Sequence, residues 1–173
     1  YFFYKLGWHG INIDAMPNSM KIFDRIRSRD INLEQPISDK DQTLKYYAFE
    51  SSAYNGFDKL ISEERISNGI SLKFTKNLNT KSLEKVLDNY LSPNQEIDFL
   101  SLDIEGSEYN VLKSCNLDKY RPKVIIVEIL NLNLYHIQDN ELVVFLKEFG
   151  YSFYAKAINS VFFIHNKSFP DLV

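Results

Sequence analysis

The stretch that most constrains this chain runs from Ile97 to Leu112, Ile-Asp-Phe-Leu-Ser-Leu-Asp-Ile-Glu-Gly-Ser-Glu-Tyr-Asn-Val-Leu. Ile97, Phe99, Leu100 and Leu102 form an apolar run of strand length that ends on Asp103. Glu105 and Gly106 interrupt it, and Ser107 through Leu112 can enter a helix. A strand ending in a carboxylate, turned by glycine and followed by a helix is how open parallel sheets build sites at strand C-termini.

The rest of the chain repeats this alternation. Gly10 to Ala15 reads as a short strand ending in Asp14, and Pro17 suits the first turn of a helix over 18–28. Ile31 to Ile37 reads as a strand with Pro36 at an edge or bulge, and Thr43 to Phe49 as another. Glu50 to Asp58 is a polar loop, Lys59 to Ile66 a weak helix, and Ile70 to Thr75 a strand. Thr80 is placed to cap a helix through Leu91, with Leu83, Val86, Leu87 and Tyr90 on one face. Val124 to Leu130 is nearly continuous in apolar residues, the pattern of a strand buried on both faces. A loop over 131–140 carries His136, and a helix over 141–149 stops at Gly150. Tyr151–Lys156 and Ser160–His165 then read as a tight hairpin. The expected fold is α/β: a doubly wound, mostly parallel sheet ending in an antiparallel hairpin, in a single domain over 1–173.

The totals agree with such a domain. At 173 residues, with 45% hydrophobic and 25% charged residues, the chain can bury a sizeable core. A net charge of -3 argues against nucleic acid or an anionic membrane as partner. The single cysteine, Cys115, fits a reducing compartment and reads as a small core residue, so a cytoplasmic location is expected. No apolar run reaches the length of a membrane span, and no signal peptide stands out. No Cys/His spacing suggests zinc, and the acids carry no strong divalent-metal spacing. The basic set Lys21, Arg25, Arg27 and Arg29 reads as the solvated face of a helix. The chain starts without Met in Tyr1-Phe2-Phe3-Tyr4, which reads as the end of a helix stopped by Gly7.

Sites in such sheets lie beyond the strand C-termini, which sorts the polar residues. Asp14, Ser38, Asp39, Asp103, Glu105, Glu128 and the His136 loop belong on one rim, whereas Trp8 and His9 precede a strand and belong on the other. Asp14 can accept hydrogen bonds from ribose hydroxyls or simply cap a turn. Asp39 stands where an adenine would lie, or is a plain turn residue. Asp103, Glu105 and Glu108 are either a reaction site or acids that favour a helix start. Glu128 is costly to bury without a partner, so it serves a site or a satisfied ion pair.

Asp14, Ile37-Ser38-Asp39, Asp103-Ile104-Glu105-Gly106-Ser107-Glu108 and Arg121-Pro122…Glu128 together resemble the FkbM-family methyltransferases. The resemblance runs from Gly7 to about Leu130, and its most specific part is the Asp-Ile-Glu-Gly-x-Glu segment with the downstream Arg-Pro…Glu. It implies the Rossmann-like class I fold and S-adenosylmethionine-dependent O-methylation of a sugar, glycan or other small natural product. It implies that Asp14 and Ala15 hold the cofactor ribose and that Ser38-Asp39 approach the adenine. It sets Asp103 and Glu105 at the methionine end and the acceptor. The family's first strand and glycine-rich turn have no counterpart here, so the chain is expected to be an N-terminally truncated piece of such an enzyme.

Methyl transfer is an in-line displacement, in which the enzyme chiefly aligns its reactants. Asp103 is the first candidate for base or cofactor anchor, Glu105 the second, and His136 a third. Glu108, Glu128, Tyr54 and Asn55 are candidates for acceptor contacts, with Ser51 and Ser52 in the same polar loop. Two other readings stay open: a nucleotide-dependent oxidoreductase of similar architecture, and a non-catalytic α/β nucleotide-binding module.

Overall fold

The strand expected after Gly10 forms, and what it pairs with sets the first half of the molecule. The computed structural model describes residues 1–104, 106–130 and 132–172. The chain divides into two compact units, Tyr1–Ser82 and Leu83–Val173.

The first unit contains α1 (Phe2–Lys5), β1 (Ile11–Asp14), α2 (Met20–Ile26), β2 (Ile31–Glu34), β3 (Ile37–Ser38), β4 (Gln42–Phe49), α3 (Lys59–Ser67) and β5 (Leu72–Ser82). β1 and β2 pair in parallel, from Ile11 opposite Ile31 to Asp14 opposite Glu34. Within that register the Asn12 amide donates to Asn32 Oδ1 at 2.9 Å. The single strand expected over 31–37 is two strands: the chain breaks at Gln35-Pro36, and β3 pairs with β5 rather than β1. Proline has no N–H to give a ladder, so it ends one pairing and frees the chain to begin another.

β4 and β5 form a long antiparallel pair from Gln42 opposite Thr80 to Phe49 opposite Leu72. β5 is longer than expected, and Thr80, read as a helix cap, lies buried inside it. The core of this unit includes Met20 and the unbroken run Tyr46, Tyr47, Ala48 and Phe49. Arg27 departs from the solvated-face expectation: it donates to Asn12 Oδ1 at 2.5 Å and approaches Asp30 at 3.9 Å.

The second unit contains α4 (Leu83–Tyr90), β6 (Phe99–Leu102), α5 (Glu108–Lys113), α6 (Leu117–Tyr120), β7 (Val124–Glu128), α7 (Glu141–Glu148), β8 (Tyr151–Ala157) and β9 (Ser160–His165). Its sheet has the order β6-β7-β9-β8. β6 and β7 are parallel, while β7/β9 and β8/β9 are antiparallel, the last closing as the expected terminal hairpin. Ile125, Val127, Val111, Leu112, Leu146 and Val161 are fully buried. β7 alternates in burial rather than hiding both faces: Val124, Ile126 and Glu128 stay half-buried. Glu128 therefore shares the less covered face, where a carboxylate costs less than in a sealed strand.

The chain is thus mixed α/β, with parallel and antiparallel pairings in both units. No helix among the described residues is long and apolar enough to cross a membrane.

Candidate active site

In the first unit, Asp14 leaves β1 exposed to solvent. Its Oδ1 accepts the Met16 N–H at 2.6 Å, an Asx turn that fixes the carboxylate against the chain. Oδ2 takes no hydrogen bond among the described residues. The Tyr46 phenol is buried nearby. Burial first, and the Asp14 charge second, push it up to about 12, with a hydrogen bond from the Asn55 side chain pulling the other way. Asn55 uses its Oδ1 for the Phe49 N–H at 2.8 Å and sets its amide nitrogen 3.8 Å from Met16 Sδ. Asp14, Met16, Tyr46 and Asn55 thus form one connected patch, in which Asn55 ties β4 to the loop after β1. Ala15 is half-buried in that loop.

The remaining first-unit candidates are less open. Ser38 is buried, and its hydroxyl faces the Lys40 carbonyl at 2.7 Å and Thr80 Oγ1 at 2.8 Å. Asp39 is exposed and accepts from the Gln42 amide at 3.0 Å. Tyr54 packs edge-on against Phe49, with the Arg65 guanidinium 5.4 Å from its ring centre.

In the second unit, Asp103 stands exposed just past β6, with no hydrogen bond or ion pair among the described residues. Glu105 lies outside the described residues. Glu108, the first residue of α5, is only 5% exposed, and its Oε1 accepts the N–H groups of Ile104 at 2.9 Å and Gly106 at 3.3 Å. Glu128 Oε1 receives the Asn159 amide at 3.4 Å. Glu108 and Glu128 meet at a cleft of about 390 Å³, which Gly106, Tyr109, Asn140 and Glu141 also line. Asp103 is not among its lining residues, and neither is His136. His136 is 71% exposed on a short 3₁₀ turn, with Nδ1 3.5 Å from Asp139 Oδ2.

Sequence reasoning missed Tyr46, because β4 buries Tyr46 and Tyr47 alike and breaks the alternation that sorts strand faces. It also missed Tyr109, Asn140 and Glu141. Asn140 had a legible signal, an asparagine just before an apolar helix; its Oδ1 accepts from Leu142 at 3.1 Å and Val143 at 3.3 Å. That cap starts α7 where it borders the cleft.

Chemically, the two patches can accept hydrogen bonds from hydroxyl groups and complement positive charge. No group of three or more His, Cys, Asp and Glu among the described residues is arranged to hold a metal. Comparison with protein families matches residues 1–153 to the methyltransferase FkbM domain. No curated protein and no solved structure matches the chain.

Proposed function

Since the chain belongs to the FkbM methyltransferase family, we propose that it transfers a methyl group from S-adenosylmethionine to a hydroxyl of a sugar, glycan or other small natural product. The family match over 153 of the 173 residues carries this reading. Bound, S-adenosylmethionine supplies a methyl on a positively charged sulfur, which an acceptor oxygen displaces in line.

The residues present suit such a cofactor. Asp14 ends a parallel strand with one carboxylate oxygen fixed by Met16 and the other open, the form that accepts ribose hydroxyls. Ala15 lies beside it, and Asp39 follows β3 on the adenine side. Ser38 spends its hydroxyl internally, so its part is to hold the turn. Asp103, without a protein partner among the described residues, takes the acceptor's proton or anchors the cofactor. Glu105 stands second in that role and His136 third. Glu128 and Glu108 at the cleft of the second unit are candidates for acceptor contacts, and so, separately, are Tyr54 and Asn55 in the first unit.

Calorimetry of S-adenosylmethionine binding tests this reading. Binding by the chain supports it. No binding, with the chain shown to be folded, ends it.

A further inference from the structure

Glu108 opens α5, a place where acidic side chains usually face solvent and the helix dipole. Here it turns inward and reaches back along the chain. Its Oε1 accepts the N–H of Ile104 at 2.9 Å and of Gly106 at 3.3 Å, both in the loop that leaves β6 through Asp103. Ser107, at the capping position, makes no side-chain cap bond, so the task of tying the loop's amides falls to Glu108. Gly106 enters the turn at φ +94, a conformation glycine adopts at little cost. A carboxyl this buried is tolerated because hydrogen bonds replace the water it lost.

Asp103 has no hydrogen bond of its own among the described residues, and the backbone that carries it runs directly into Ile104. That backbone is the one Glu108 ties. We propose that Glu108 is a positioning residue: by tying the amides of Ile104 and Gly106 it presents Asp103 as an anchor for the cofactor. This rests on the reading of Asp103 given above. It also assigns Glu108 a different task from touching the acceptor.

The two chemistries separate by substitution. Glu108→Gln keeps an Oε1 that accepts both N–H groups, whereas Glu108→Ala removes it. Amide hydrogen exchange by NMR on the whole chain reads the two tied amides directly. In Glu108→Ala the Ile104 and Gly106 amides should exchange at least about tenfold faster (about 1.4 kcal/mol of lost protection) while Ile125 in β7 keeps its rate. Glu108→Gln should restore them.

Calorimetry with S-adenosylhomocysteine then reads the consequence. Glu108→Ala and Asp103→Asn should each weaken binding severalfold or more, the double variant no further than Asp103→Asn alone, and Glu108→Gln hardly at all. Unchanged exchange in Glu108→Ala, or equal loss of affinity in the Ala and Gln variants, overturns the proposal. If Asp103→Asn binds like the wild type, the reading of Asp103 as a cofactor anchor fails, and the functional half of the proposal with it. The exchange rates still decide whether Glu108 is the brace.

Discussion

The hydroxyls of Ser38 and Thr80 lie 2.8 Å apart inside the first unit, and the pair faces the carbonyls of Lys40 and Gln42. Each hydroxyl has one proton, so the two share the work of satisfying these acceptors. Thr80→Val keeps the shape and removes one donor. It should cost about 1–3 kcal/mol, the penalty for an unsatisfied buried polar group, read as a lower urea midpoint at unchanged slope.

Ser19 Oγ is buried with no hydrogen-bond partner among the described residues, although Ser19 stands at the capping position of α2. Ser19→Ala removes a desolvated hydroxyl that gives nothing back. The variant should be as stable as the wild type or more stable by about 1 kcal/mol. A melting temperature several degrees lower would contradict this.

Asp14→Asn keeps an Oδ1 for the Met16 N–H and so preserves the turn, but it loses the negative charge. The folded state should be little changed, while S-adenosylmethionine binding falls about tenfold or more, ~1.4 kcal/mol. The same substitution removes one of the causes that raise the Tyr46 phenol, so spectroscopic titration of tyrosinate should find it ionising at lower pH.

His165 ends β9 buried, packed edge-on against Tyr151 at 5.1 Å. Burial first, then Arg121 and Lys167, hold its imidazole below the ordinary 6.5. In the unfolded chain it takes up a proton more readily than in the folded one. Stability should therefore fall as the pH drops below about 6.5 and stop falling once the folded imidazole also titrates. Urea midpoints at pH 7.5 and 5.5 should differ in the wild type, and the part of that difference due to His165 should vanish in His165→Phe.

What could be read from the residues follows from how strongly each pattern exceeds its alternatives. The hairpin of β8 and β9 was legible because two β-rich runs flank a turn only two residues long, Ile158-Asn159. β5 was half-missed because Lys73, Lys76, Asn77, Asn79 and Lys81 fill a strand that owes its existence to eight register partners in β4. Asparagine and lysine are poor strand formers, so pairing overrode propensity. Thr80 suits a cap as well as a strand, and only the buried network with Ser38 separates the two. Asp14 and Asp103 could be placed from position alone, whereas the inward turn of Glu108 could not. An acid at a helix start carries the same pattern whichever way it points.

The parallel register of β1 and β2 sets Asp14 directly opposite Glu34, both at the exposed end of their strands. Like charges facing each other across a ladder repel. At physiological ionic strength the Debye length is about 8 Å, so dissolved ions soften a repulsion at this range only in part. Salt should therefore ease the crowding of negative charge at this strand end. Ionic strength then bears on the very carboxylate proposed to hold the ribose, before any ligand arrives.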